Sequence, residues 1–191
     1  MHNQLRISII LLVSMTLLTG VVYPAVVTII AQIVFPHQAN GSILAVDSKP
    51  MGSELIGQSF SGPSYFWGRP SATAPFPCNA AASTGSNYGP LHPDLMKKAQ
   101  ARIDSLKQYD ADLTTIPVDL VTASASGLDP QISPAAAEVQ IPRVAAARKI
   151  SENDLRVLVR RHTRGRQIGL FGEPGVNVLQ LNLALDHGGQ N

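Results

Sequence analysis

Apolar positions are spread unevenly along the chain. From Ile7 to Phe35 they run almost unbroken, ISIILLVSMTLLTGVVYPAVVTIIAQIVF, and no side chain in the stretch is charged. A helix of that length reaches about 43 Å against a hydrocarbon core of roughly 30 Å, so the run predicts a membrane-spanning helix. A cleaved signal peptide would carry an apolar region of about 7 to 15 residues followed by a small-x-small site. Here the apolar residues continue past Gly20 and no Ala-x-Ala follows, which favours a retained signal anchor. Pro24 predicts a kink or loosening of the helix. Ser14, Thr16, Thr19, Gly20 and Thr28 would let another helix approach, although hydroxyls commonly bond their own backbone. Gln32, at the far end, needs no partner. The division expected is 1–6 cytoplasmic, 7–35 transmembrane and 36–191 an extracytoplasmic domain. The only charged side chain on the short side is Arg6, so the positive-inside bias for this orientation amounts to about one residue.

Beyond the anchor the periodicities are shorter. In LHPDLMKKAQARIDSLKQYDAD the apolar Leu95, Ala99, Ile103 and Leu106 recur at three and four, with Pro93 and Asp94 suited to a first turn. This predicts a surface helix whose Lys97, Arg102, Asp104 and Lys107 are solvated. IPVDLVTASASGLDP opens with the alternation Ile116, Val118, Leu120, predicting a strand that ends in a turn. Ser133 with Pro134 predicts a capped helix that Pro142 must bend or interrupt. Ser151 begins another in ENDLRVLVRRHTR, with Leu155, Leu158 and Val159 facing inward and Arg156, Arg160 and Arg164 outward. After a turn-rich GLFGEPG, the run VNVLQLNLALD fits either a strand or a buried helix. The fold class expected is α+β: one N-terminal transmembrane helix followed by a single mixed α/β extracytoplasmic domain with a long Gly/Pro-rich loop.

Composition sharpens that loop. Of 28 charged residues, 27 lie beyond Val46, yet Leu55 to Pro93 holds only Arg69, together with 11 Gly or Pro and six of the ten aromatics. SELIGQSF at its start reads as a short strand. The rest reads in two ways: an Ω-type loop folded on its own rings, or a surface covered by a partner, since interfaces are poor in charge and rich in Tyr, Trp, Phe and Arg. On the second reading Tyr65, Phe66, Trp67, Arg69 and Phe76 are partner contacts, with Arg69 stacked beside Trp67. The basic run at Arg160, Arg161 and Arg164 is a further contact candidate for lipid headgroups or an acidic partner, against the blander reading of a solvated helix face. Nucleic acid does not fit an exported domain.

A net charge of +2 with 45% apolar residues argues against disorder, and one cysteine against a disulfide scaffold. No two of the five histidines lie three to five residues apart, so no metal site is legible locally. Ser124 or Ser126 with Asp129 could form a nucleophile and carboxylate, the basis of a rival reading as a signal-anchored periplasmic enzyme or unrelated binding module. Small residues before Asp-Pro more often make a turn.

The chain resembles the C subunit of the bacterial Kdp potassium-transporting ATPase over essentially its whole length. The resemblance is carried by TG-VVYP (Thr19 to Pro24), PHQANGS (Pro36 to Ser42), GSELIGQSF, GRPSAT and GSN. It continues through PVDLVTASASGLDPQISPAAAEVQIPRVAAAR (Pro117 to Arg148) and GEPGVNVLQLNLALD. Thr84 and Gly175 depart from the expected pattern. The resemblance implies a non-catalytic, single-pass inner-membrane subunit of a high-affinity potassium uptake pump. Its partners would be a channel-like potassium-binding subunit, a P-type ATPase subunit and a small single-span subunit. ATP and potassium would be handled by the complex. The resemblance also implies a catalytic chaperone that raises ATP affinity, with Gln140 as the nucleotide contact, a role that a domain outside the membrane could not fill.

Overall fold

A computed structural model describes residues 2–110 and 113–188; the last two positions of the helix expected after Leu91, residues 111 and 112, lie outside it. The chain divides into two compact units, residues 1–43 and 44–191.

The first unit is dominated by one long apolar helix, His2–Val34, none of which is buried. It is not uniform. Helix α1 (His2–Leu17) passes through a π-helical turn at Leu18–Val22 into α2 (Tyr23–Val34), which has Pro24 in its first turn. The proline lacks an N–H and its ring crowds the carbonyl four residues back. The widened turn lets the Tyr23 N–H reach Leu18 O instead, so the helix loosens just before Pro24 as a π-bulge. Thr19 and Ser8 donate to the carbonyls of Met15 and Gln4 (2.7 and 2.9 Å); both hydroxyls serve their own helix. Gln32 does have a partner: its amide bonds that of Asn40 (3.1 Å), which also donates to Pro36 O (2.7 Å) across the single turn α3 (Pro36–Ala39).

The second unit contains a two-stranded and a three-stranded sheet. Strands β1 (Ile43–Val46) and β2 (Lys49–Ser53) pair around Asp47 and Ser48, which both have positive φ (49° and 63°) as a tight hairpin turn demands. The loop from 54 to 92 comes next, then α4 (Pro93–Lys107). Strand β3 (Gln131–Ile132), helices α5 (Pro134–Glu138), α6 (Ile141–Arg148) and α7 (Glu152–Arg161), strands β4 (Thr163–Arg164) and β5 (Gly175–Asn177), and α8 (Val178–Asp186) complete it. The sheet order is β3-β5-β4, all antiparallel, with Ile132 and Thr163 both opposite Val176. Phe66, Leu120, Ile132, Ile141, Val144, Leu155, Val176 and Leu181 form the centre of one buried core.

Local chemistry explains the helix boundaries. The Ser133 hydroxyl accepts from Ala136 N–H (3.0 Å), and Asp119 in turn accepts the Ser133 N–H (2.7 Å). Pro142 interrupts the helix as expected, so the chain turns through Val139–Gln140 and restarts with the proline in the first turn of α6. The ambiguous VNVLQLNLALD is both strand and helix. Asn177 ends β5, its amide donates to Glu54 O (2.7 Å), and its carbonyl oxygen accepts the Gln180 N–H (3.0 Å) as the cap of α8.

Three expectations are corrected. SELIGQSF is not a strand; β2 stops at Ser53 and the chain turns. IPVDLV forms a 3₁₀ turn at Val118–Leu120, because Pro117 precedes it and Asp119 is drawn to Ser133. Arg102 is not solvated: it donates to Gly68 O (2.9 Å) and Leu120 O (3.1 Å).

The loop itself is held by two buried amides. Asn182 of α8 accepts the Phe66 N–H and donates to the Phe66 carbonyl (2.9 Å each). Gln140 does the same for Trp67, accepting its N–H (2.7 Å) and donating to its carbonyl (3.1 Å). Each side chain acts as a one-residue strand partner. Asn182→Leu leaves two buried backbone groups unpaired at about 1–3 kcal/mol each. Thermal unfolding of the purified chain should therefore show the domain melting about 5–15 °C lower; an unchanged melting temperature would refute this account of the loop.

Candidate contact surfaces

The aromatic loop separates into a buried and an exposed part. Phe66 (0% exposed) and Trp67 (3%) are core residues. The domain itself covers them, as in the Ω-loop reading. Two guanidiniums lie over the Trp67 ring, Arg102 at 4.7 Å and Arg143 at 4.9 Å, while Tyr109 meets it edge-on at 5.8 Å. The indole N–H donates to Gly62 O (2.8 Å). The stacking partner expected for Trp67, Arg69, is elsewhere; it pairs with Asp129 (3.0 Å) and donates to Ala123 O (3.3 Å). Tyr65 is half-buried, with Arg148 over its ring at 4.7 Å and its hydroxyl donating to Asp186 (3.2 Å). Among the five residues only Phe76 stands well clear, 57% exposed.

The guanidiniums substitute for absent loop partners. Arg143 donates to Pro63 O (2.8 Å) and Gly62 O (3.3 Å) and to Gln140 Oε1 (2.7 Å). Burial above all, then the charge of Arg102, pushes Arg143 down to about 10, so it remains a cation at neutral pH and donates from both terminal nitrogens. Glycines let the backbones close: a Cβ on Gly57 would lie 2.8 Å from Asp129 O, and one on Gly85 2.7 Å from Ala125 O.

The residues considered for chemistry are structural. Gln140 is 2% exposed and its amide is saturated, by Trp67, by Arg143 and by Ala136 O (3.0 Å). Both its side-chain oxygen and nitrogen are thus engaged inside the domain. Ser124 is buried, the Ser126 hydroxyl accepts the Leu128 N–H (3.1 Å), and Asp129 is engaged by Arg69 and the Gln131 N–H (3.0 Å). No nucleophile and base are brought together there. Burial raises the Cys78 thiol, partly offset by Ser71. No group of three or more His, Cys, Asp or Glu among the described residues could hold a metal.

The basic run is differently built. Arg156 is spent on Glu138 (2.6 Å) and Glu152 (2.8 Å), and Arg166 on Glu173 (2.8 Å). Arg160, Arg161 and Arg164 are exposed and form no ion pair among the described residues. Sequence reasoning missed the apolar residues just beyond them: Ile168, Leu170 and Phe171 are 88%, 75% and 65% exposed. The available signal was three large apolar residues within a turn-rich link.

His162, between the arginines and the sheet, has a buried Nε2 with no hydrogen-bond partner, and burial, then the charge of Arg161, lowers its pKa from 6.5. Below 6.5 the unfolded chain takes up this proton before the folded one, so stability falls as pH drops through that window toward the folded value and is full above it. Urea unfolding at pH 7.5 and 5.5 should show the loss, and His162→Gln should diminish it; an identical pH dependence in the variant would exclude His162 as its source.

Known proteins share this architecture's sequence throughout. The family described as K+-transporting ATPase, c chain, matches residues 5–187. The potassium-transporting ATPase KdpC subunit of Herpetosiphon aurantiacus is 58% identical over 187 residues, covering 97% of each chain. Those of Paraburkholderia phytofirmans and Burkholderia mallei are 57% identical over the same share. On that identity across nearly its full length, the chain belongs to the KdpC family of potassium-transporting ATPase subunits.

Proposed function

We propose that the chain is a non-catalytic subunit that stabilises assembly of the potassium uptake complex, joining a channel-like potassium-binding subunit to a P-type ATPase subunit alongside a small single-span subunit. The observation that carries this reading is the long helix His2–Val34, which has no charged side chain after Arg6 and no buried residue, linked to a domain in which Gln140, Ser126 and Asp129 are engaged in internal hydrogen bonds and ion pairs. Such a helix finds its packing partners in a membrane and in other membrane helices. The domain brings a surface, and ATP hydrolysis resides on a partner. In this reading the N-terminus is cytoplasmic, the helix crosses the inner membrane once, and the domain lies in the periplasm.

Within the domain, Phe76 is the protein contact we favour. It sits beside Pro75 and Pro77 in an uncharged stretch, 57% exposed, while its backbone carbonyl accepts from the Thr73 hydroxyl (2.8 Å). The anchoring of its main chain means that a partner gains the ring without ordering the loop.

Two measurements test this. In gentle detergent the chain should co-purify with a P-type ATPase subunit, and Phe76→Asp should reduce the recovered complex by about tenfold or more, the effect of losing a buried aromatic anchor. Undiminished recovery would place the contact elsewhere. In sealed right-side-out vesicles, external protease should digest the domain; a protected domain would reverse the orientation.

A further inference from the structure

Between β4 and β5 the chain runs out into a loop, residues 165–174, that raises Ile168, Leu170 and Phe171 into solvent at 88%, 75% and 65% exposure. The loop is built, not slack. Gln167 and Phe171 exchange backbone bonds (Gln167 N–H to Phe171 O 2.8 Å, Phe171 N–H to Gln167 O 3.0 Å), and Gly169 N–H donates to Arg166 O (3.2 Å). Both carboxylate oxygens of Glu173 accept from Arg166 (2.8 Å) and close the base. The tip also carries strain: Ile168, a β-branched residue, adopts φ 54°, a conformation disfavoured for such side chains. Strain combined with exposed apolar side chains serves no purpose within the fold, and marks a tip shaped for something outside it.

The charge around the tip indicates what that is. Arg160 and Arg161 end α7 and Arg164 lies in β4, immediately before the loop; all three are exposed and without an ion pair among the described residues. The loop's acid, Glu173, is taken by Arg166. An apolar tip that follows three exposed guanidiniums within a few residues of chain matches a bilayer surface, apolar side chains entering the interface and guanidiniums meeting phosphates. The covalent link brings such a surface within reach. Only residues 35–42 lie between α2 and β1, a span of at most about 29 Å when fully extended, against a domain radius of gyration of about 15 Å. A contact too weak to recruit a free protein is then sufficient, because the tether supplies a high effective concentration.

We propose that the 165–174 loop is a second membrane contact of this chain, in which Ile168, Leu170 and Phe171 enter the interface of an anionic bilayer while Arg160, Arg161 and Arg164 bind its headgroup phosphates. This rests on the reading of the N-terminal helix as membrane-spanning. It adds an orienting contact that the helix alone does not supply.

The test uses the full chain in vesicles of phosphatidylethanolamine and phosphatidylglycerol with brominated acyl chains, which quench tryptophan fluorescence at the interface and below. The native Trp67 is buried and gives a constant background. Three single variants are compared: F171W at the tip, L91W at an exposed site outside it, and V26W in the anchor. The expected result is strong quenching of V26W and F171W, with L91W several-fold less quenched. Quenching of F171W should also fall several-fold in R160Q/R161Q/R164Q and in phosphatidylcholine vesicles. Quenching of V26W alone overturns the loop contact and leaves the anchor standing; quenching of neither overturns both. F171W unquenched by lipid but shielded from aqueous iodide when the other pump subunits are present would also overturn the proposal, and assign the tip to a protein partner.

Discussion

The structure depends on how one charge-poor loop satisfies its backbone. A segment rich in Gly and Pro makes neither helix nor extended sheet, yet residues 66 and 67 lie in the core, where an unpaired N–H or carbonyl is costly. Two side-chain amides solve this. Asn182 and Gln140 each offer one acceptor and one donor with the spacing of a strand edge, and each takes both backbone groups of one loop residue. The clamps come from different elements, α8 and the α5–α6 link, so they also fix those elements to one another through the loop. Pro142 contributes indirectly. By breaking the helix it leaves Gln140 in a turn between α5 and α6, beside the loop it must reach.

The same shortage of partners accounts for two arginines against one indole. Bringing Arg102 and Arg143 near each other is unfavourable, and burial already presses on both, as the lowering of each pKa reflects. What offsets this is the number of acceptors they meet. Gly62, Pro63, Gly68 and Leu120 present carbonyls that no secondary structure satisfies, and a planar guanidinium bonds several at once while stacking on the ring. A lysine at either position would supply a charge without the fork.

Much of this was legible residue by residue where local chemistry decides. The long apolar helix, the Ser133 and Ser151 caps, the break at Pro142 and the inward Leu155, Leu158 and Val159 arise from spacing and capping, and the structure has them. The misreadings share one cause, which is tertiary competition. Ile116, Val118 and Leu120 alternate as a strand would, but Asp119 between them caps α5 through Ser133. Arg102 occupies a polar position of an amphipathic helix, yet its length lets it reach back to the loop. Gln140 and Asn182 could not be recognised as clamps, because their partners lie 73 and 116 residues away and nothing local distinguishes a buried amide from a solvated one. The exposed tip at Ile168 was hidden for the opposite reason: three apolar residues in a link resemble core until the turn bonds that hold them outward are known.

The low charge of the loop therefore has two separate sources. For Phe66, Trp67 and their neighbours it comes from burial inside the domain, where carbonyls are already met by arginines from the helices and an additional loop charge would have to compete for them. For Phe76 the domain gives no such reason, since the ring is in solvent while the main chain beneath it is fixed by Thr73. A subunit whose surface is prepared in this way loses little conformational freedom on association. On the proposed role as an assembly subunit, this division of the loop has a use: its buried half is fixed to the helices by Asn182 and Gln140, and the bonded main chain under Phe76 would let that ring serve as a fixed point of contact.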